Sequence, residues 1–391
     1  MDNSVRGLLT GYQLVSVNKM YYPEIGGVEV VAQRIAELGL HLFDKSTVIT
    51  FNEENSTVEE EINGVHVIRL NTAYRNDPIR LSSNFGRVIR SFSSADTVFV
   101  FHFPSVQSEL FFAHSNVKGK KVCFYHSDIV GRGSAGSLYN KMVVPKFLAK
   151  MDRIIVTSPN MKQSSACLKP FLDKVDVVPL FADIKHFHYQ EENKRKEILE
   201  RIGAGNEAKM ILYIGRFGRY KGLDYLIKAL ALLPENYLLV LVGDGPERPM
   251  VETLTQELNL ERRVLRFDHV PYSDLPKYYS AADVFVLPSI DRGEAFGLVV
   301  VEAMACGVPV VTTELSTGTS FHNIDGVTGR VVPPKDEKAL ADAIAEICEN
   351  GDEYDPQVIR KRAEEFSAEI FDQRIKEVLE KVVREGSTAK S

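Results

Sequence analysis

The residues best equipped for chemistry lie in the second half of the chain. Seven residues separate Glu294 from Glu302 in the run GEAFGLVVVEAMACGVPVV, 293–311. The apolar run VFVLPS (284–289) reads as a buried strand, which puts Glu294 in the loop at its carboxyl end. Glu302 then falls about one turn into the helix that follows, so the two carboxylates do not share a helical face. Between them, Ala295, Phe296, Gly297 and Leu298 open that helix. Unpaired N–H groups and the positive end of the helix dipole suit a diphosphate there without any basic side chain. A glutamate in the loop suits sugar hydroxyls, and one just inside the helix suits a ribose. Two cations complete the set. Arg216 ends the apolar run MILYIGR, and Lys221 lies five residues on, before a helix. Both suit the two charges of a diphosphate. The GxxxxGK[ST] spacing is absent here, and Arg219 reads as solvated.

The first half offers fewer such groups. Gly26 and Gly27 follow a first strand and precede a helix starting near Val28. Without Cβ atoms, their backbone amides can approach a phosphate or sugar, although a GG pair also makes an ordinary turn. His126 terminates the strand KVCFYH and leads into Ser127-Asp128-Ile129. His186 and His188 have no carboxylate or cysteine cluster around them, so no metal is expected there.

These residues need strands to place them, and the sequence supplies two series. Tyr12–Val17, Ser46–Phe51, Val65–Leu70, Thr97–Phe101, Lys121–His126, Arg153–Thr157 and Lys174–Val178 read as strands, with helical stretches such as Val28–Leu42 and Tyr139–Lys150 between them. A polar break at 183–205 is followed by strands at 210–216, 237–243, 263–267, 284–289 and 308–313, again alternating with helices. Such alternation predicts parallel sheets covered on both faces. The last forty residues read as helix ending in a frayed GSTAKS tail. The expected domains are 1–185, 186–370 and a C-terminal helix with tail, 371–391, packing back on the first domain.

Composition narrows the class. The chain has 391 residues, 44% hydrophobic and 26% charged, as in soluble globular proteins, and is long enough for two domains. No apolar run approaches a membrane span, no signal-peptide pattern is present, and a cytoplasmic home is expected. The four cysteines lack CxxC or zinc spacing and are expected as reduced core thiols. The net charge of −6 argues against general nucleic-acid binding, but it is unevenly spread. Residues 1–185 carry 21 basic and 18 acidic side chains, the remainder 26 and 35. Within 118–174 there are 11 basic and 3 acidic residues, interleaved with apolar ones. This stretch is either a solvated face or a surface for an anionic membrane.

The run 293–311 resembles the E-x7-E region of retaining glycosyltransferases of family 4. The resemblance extends through YYPEIGGVE, YIGRFGRYKGLDYLIKAL, LVGDGPE, FVLPS and DGVTGRVVPPKD, in the family's order. It implies the GT-B fold, two Rossmann-like, doubly wound α/β domains facing across a cleft, with acceptor bound by the first and nucleotide sugar by the second. It further implies that Arg216 and Lys221 hold the donor diphosphate, that His126 contacts the donor sugar, and that the Gly26-Gly27 loop closes over the donor. Val270, in FDHVPYSDL, falls where the family packs the base, and Gly243-Asp244-Gly245 falls near the nucleotide. Thr317–Ser320 depart from the family's glycine-glycine loop but are candidates to line the donor pocket. HSDI (126–129) looks like members that add mannose or a related hexose to lipid-linked glycans; Asp128 is the acceptor-hydroxyl candidate.

The function expected is transfer of a hexose, mannose first, from a nucleotide diphosphate sugar to a glycan or polyprenyl-linked acceptor in cell-surface polysaccharide synthesis such as lipopolysaccharide. GDP-mannose is the first donor expected. No carboxylate nucleophile is evident, so front-face retention is favoured over double displacement. His126, Arg216, Lys221 and Glu294 are the catalytic candidates. No DxD metal site is present, metal-independence is expected, and no cofactor beyond the nucleotide-sugar co-substrate. Peripheral attachment to the inner face of the cytoplasmic membrane fits the basic stretch. A sugar-nucleotide epimerase and a non-catalytic nucleotide-sugar-binding subunit are the rival readings.

Overall fold

The computed structural model describes residues 9–24, 26–76, 79–129, 133–191 and 194–388. The chain divides into two compact units, one running to Pro179 and rejoined from Phe371 onward, the other Leu180–Ile370. The sequence reading had placed the first division at 185.

The first unit is built on an eight-stranded sheet in the order β10-β9-β8-β7-β1-β2-β4-β3. The strands are β1 (Gln13–Val17), β2 (Lys45–Phe51), β3 (Val58–Ile62), β4 (Val65–Leu70), β7 (Thr97–Phe103), β8 (Lys120–Tyr125), β9 (Arg153–Val156) and β10 (Val175–Val177). A separate hairpin joins β5 (Tyr74–Asn76) to β6 (Ile79–Leu81). All pairings in the large sheet are parallel except β3 on β4. Parallel strands covered on both faces read as unbroken apolar runs, and β7, TVFVFHF, is buried at every position. Its rings pack onto neighbouring helices, with Phe101 and Phe112 centroids 4.3 Å apart. Thr97 at its start and His102 near its end are the polar residues in that strand.

The second unit holds a six-stranded parallel sheet, order β13-β12-β11-β14-β15-β16. Its strands are β11 (Lys209–Ile214), β12 (Tyr237–Val242), β13 (Val264–Phe267), β14 (Val284–Leu287), β15 (Val310–Thr313) and β16 (Gly329–Val332). Order reverses at β11, so the loops after β11 and β14 diverge and leave room for a ligand at the strands' carboxyl ends.

Every strand expected from an apolar run forms. The strands that the sequence reading omitted lack such runs. β3 is VEEEI on an exposed edge, β5 and β6 have three residues each, and β16 is the short GRVV. The single helix expected over Tyr139–Lys150 is instead two, Gly133–Met142 and Val144–Ala149. Pro145 is the cause: it has no N–H to give and would clash inside a continuous helix, so it sits in the first turn of a new one. The C-terminal region likewise breaks into Pro356–Glu364 and Ala368–Thr388. The GSTAKS tail is helical to Thr388, and 389–391 lie outside the described residues, as do 192 and 193 of the polar break. In the first unit, Asp372 takes a two-pronged bond from Arg34 at 2.8 and 2.5 Å, and Phe371 packs on Phe124. All four cysteines are free; Cys123, Cys306 and Cys348 are buried, whereas Cys167 is only half-buried. Among the described residues no helix is long and apolar enough to cross a membrane.

Candidate active site

In the second unit the site is assembled by the loops after β11 and β14. Lys221 closes a short 3-10 turn, Arg219–Lys221, and Gly222 follows at φ 66°. A Cβ on Gly222 would stand 2.3 Å from the carbonyl oxygen of Pro288, so only glycine allows this turn to press against the loop after β14. Ile290 N–H then bonds to the Tyr220 carbonyl at 2.8 Å. The result is a buried ion pair: Lys221 Nζ donates to Glu294 Oε2, to which Ser289 Oγ also donates at 3.2 Å. Burial pulls the Lys221 amine down, but the Glu294 carboxylate beside it outweighs that and holds it above its ordinary value. The amine therefore keeps its charge.

The helix Leu298–Ala305 begins at Gly297, φ 78°, and no side chain caps it. Its first N–H groups are therefore available to an anion. Ala295 and Phe296 support this terminus and spend their own groups doing so. Phe296 is buried, edge-on to His322 and Phe366, and its carbonyl accepts from His322 Nε2 at 2.6 Å. Only the backbone N–H of Phe296 is left for a ligand. Glu302 is half-buried and accepts from the Tyr279 hydroxyl at 2.7 Å; burial pushes its carboxyl up to about 7. Arg216 is exposed, and its guanidinium makes no hydrogen bond or ion pair to the described residues. Val270 is half-buried in the loop after β13. Gly243 and Gly245 pack tightly against Gly215 and Phe217.

Of the run Thr317–Ser320, Thr317 and Thr319 are fully buried and Ser320 is half-buried. Thr317 Oγ1 donates to the Glu294 carbonyl at 2.8 Å, and Gly318 N–H to that of Ala295 at 2.8 Å. These residues hold up the Glu294 loop from beneath.

In the first unit, Gly26 stands before the helix Gly27–Leu42 in extended backbone. A Cβ there would lie 2.3 Å from Glu29 Oε2, so the buried Glu29 folds back onto the glycine turn; Gly27 has open space around it. His126, 6% exposed, follows β8 and stacks on Phe124 at 4.4 Å and on His102 at 5.3 Å. Burial, the His102 ring and Lys19 keep His126 well below the usual imidazole range. Asp128 Oδ1 accepts from Tyr125 OH at 2.8 Å and Ser165 Oγ at 2.6 Å. It lines a cavity of about 540 Å³ with Lys19, Ile79, Pro104, Ser127 and Tyr139. Behind Tyr139, Glu109 is buried, accepts from the Ser105 N–H and the Tyr139 hydroxyl, and is pushed up to about 7 by burial.

Sequence reasoning missed Tyr279, Ser289, Lys19, His102, Glu29 and Glu109. His102, Glu109 and Glu29 carried a signal, each a titratable group set among apolar neighbours; the others look like ordinary loop or helix residues. His186 bonds to the Tyr272 carbonyl, and among the described residues no His/Cys/Asp/Glu group is arranged to hold a metal.

Comparison with known proteins accords with this geometry. The family described as Glycosyltransferase Family 4 matches residues 25–186, and Glycosyl transferases group 1 matches 194–366. The O-antigen chain mannosyltransferase C of Escherichia coli is 29% identical over 365 residues, covering 91% of this chain and 95% of its own. The D-rhamnosyltransferase WbpZ of Pseudomonas aeruginosa is 28% identical, covering 85% of each. Among solved structures, Anabaena Alr3699/HepE in complex with UDP-glucose superposes with a TM-score of 0.74 at 18% identity, over 94% of this chain and 99% of that one. With one family matched in each unit and the GT-B pair of Rossmann-like domains between them, the chain belongs to the family 4-like glycosyltransferases.

Proposed function

We propose that this glycosyltransferase moves a hexose, mannose in the first instance, from GDP-mannose to a glycan or polyprenyl-linked saccharide, with retention and without a metal, in the synthesis of a cell-surface polysaccharide. The observation that carries the reading is the buried Lys221–Glu294 pair beside an uncapped helix start, with Arg216 exposed at the end of β11. A guanidinium, a charged amine and oriented N–H groups are what a departing diphosphate requires, because negative charge grows on it as the glycosidic bond breaks. Glu294 is already neutralised by Lys221 and accepts from Ser289, which suits a clamp on sugar hydroxyls better than a nucleophile. Front-face attack follows, the leaving phosphate taking the acceptor's proton. The mannosyl and D-rhamnosyl transfers named for the two relatives support the choice of sugar and of a polysaccharide product.

The acceptor fits the cavity of the first unit, where Asp128 meets hydroxyls and Ile79, Pro104 and Val106 supply an apolar wall. Peripheral attachment to the cytoplasmic face of the membrane is supported by the helix Gly133–Met142. Leu138 and Met142 are 57% and 54% exposed there, on one face with the exposed Lys141.

Mass spectrometry after incubation with a panel of GDP- and UDP-sugars and a polyprenyl-linked acceptor tests the reading, with and without EDTA. GDP-mannose should be consumed fastest and EDTA should change nothing. Preference for a UDP-hexose overturns the donor, EDTA sensitivity overturns metal-independence, and an isomerised nucleotide sugar without acceptor overturns transfer in favour of epimerisation.

A further inference from the structure

Three polar side chains step across the centre of the first sheet, from β1 through β7 to the end of β8. Ser16 Oγ lies 3.2 Å from His102 Nε2, and His102 Nδ1 lies 3.0 Å from His126 Nε2. All three residues are buried, at 0%, 1% and 6% exposure. The sheet register sets this spacing: His102 pairs with Phe124, two residues before His126, and Ser16 pairs with Val100, two before His102. Alternation along each strand then sends the three side chains to one face.

The direction of the hydrogen bonds follows from counting protons. A neutral imidazole carries one N–H and one acceptor nitrogen. If His126 Nε2–H donated to His102 Nδ1, then His102 Nε2–H would donate to Ser16 Oγ. The Ser16 hydroxyl hydrogen would then be buried with no acceptor among the described residues, where Ser16 Oγ makes no other hydrogen bond. A buried donor left unmade bears its full desolvation cost. The opposite direction, Ser16 O–H to His102 Nε2 and His102 Nδ1–H to His126 Nε2, leaves the third proton on Nδ1 of His126, the most exposed of the three residues at 6%. Burial holds His102 down at about 3, and burial, with the His102 ring and then Lys19 adding to it, holds His126 well below its ordinary value, so a second proton is disfavoured on either ring.

We propose that Ser16 and His102 set the tautomer of His126, placing its proton on Nδ1, so that His126 meets the donor sugar as a hydrogen-bond donor and not as a base. His102 is a positioning residue acting through His126. The sugar contact rests on the reading of His126 above; the tautomer does not.

Long-range 1H–15N spectra of the full chain with 15N-labelled histidine read the tautomer directly, His126 being identified by its absence in His126→Asn. The expected result is an Nδ1–H, Nε2-acceptor pattern for His126 from pH 6 to 8. His102→Phe should move the His126 proton to Nε2 and lower turnover about tenfold or more. His102→Asn, whose amide reaches where Nδ1 stood, should restore both. An Nε2–H pattern in the unaltered protein overturns the proposal, as does an unchanged tautomer in His102→Phe. The unaltered protein's spectrum decides the tautomer even if His102→Phe fails to fold, and Ser16→Ala gives a milder probe expected to populate the Nε2–H form. The expected tautomer together with undiminished turnover in His126→Asn would leave the relay standing and overturn the sugar contact.

Discussion

The ammonium of Lys221 and the carboxylate of Glu294 form a buried ion pair across 73 residues of sequence. The cation expected for the diphosphate and the clamp expected for the sugar are thus a single unit before any ligand arrives. Removing the amine strands a carboxylate away from water. Lys221→Ala should lower turnover by orders of magnitude and also cost about 3–5 kcal/mol of stability. The double variant Lys221→Met/Glu294→Gln should recover most of that stability in chemical denaturation and none of the turnover. Normal turnover in Lys221→Ala would remove the amine from the mechanism.

Arg216 offers the contrast of an exposed cation. Arg216→Ala should shift stability by less than about 0.5 kcal/mol, as surface substitutions do. Turnover should nonetheless fall about a hundredfold, because the charge is needed only when the diphosphate departs. Arg216→Lys should recover only part, since an ammonium lacks the planar fork. Steady-state kinetics at saturating nucleotide sugar checks both variants.

Gly222→Ala should destabilise by at least about 2 kcal/mol, combining a left-handed backbone with a clash on the Pro288 carbonyl. The turn carrying Lys221 would be pushed from Glu294, so turnover should fall in the fraction that stays folded. Thermal denaturation and kinetics on the same preparation separate the two effects.

Glu109 makes stability pH-dependent. Its carboxyl stands at about 7 in the folded chain against an ordinary 4.5, because burial penalises the charged form. Below about pH 4.5 it is protonated whether the chain is folded or not, and its contribution is fully present. As pH rises through 7 the unfolded chain has already ionised, and folding loses up to about 3 kcal/mol. Glu109→Gln should flatten this part of the denaturation profile between pH 4.5 and 7, and an unchanged slope would contradict it. Glu302 contributes in the same window and the same direction.

Vesicle sedimentation tests the helix Gly133–Met142. Binding should be stronger with anionic lipid, and Lys141→Glu or Leu138→Ser should weaken it severalfold, since each basic residue near such a surface contributes about 1 kcal/mol. Equal binding to neutral and anionic vesicles would count against membrane docking.

Parallel strands buried on both faces must be apolar throughout, so the alternating architecture and every strand of the two sheets with such a run were legible from residue type alone. Strands held by pairing at an edge, such as VEEEI, carry no such mark. The individual site residues divide along the same line. Glu294, Arg216, Lys221 and His126 could be placed at strand ends and loop positions, and Glu302 in the first turns of a helix, because their immediate neighbours define those positions. Their partners could not be placed. That Lys221 is paired with Glu294, that Tyr279 occupies Glu302, that Thr317 supports the Glu294 loop, and that His102 and Ser16 stand behind His126 all depend on which strands lie side by side. Sequence determines the local period, the breaks and the chemistry on offer. Only the tertiary structure decides which of those groups meet and which are left free for a ligand, because hydrogen bonds and ion pairs depend on distances of about 3 Å between residues that the chain itself keeps far apart.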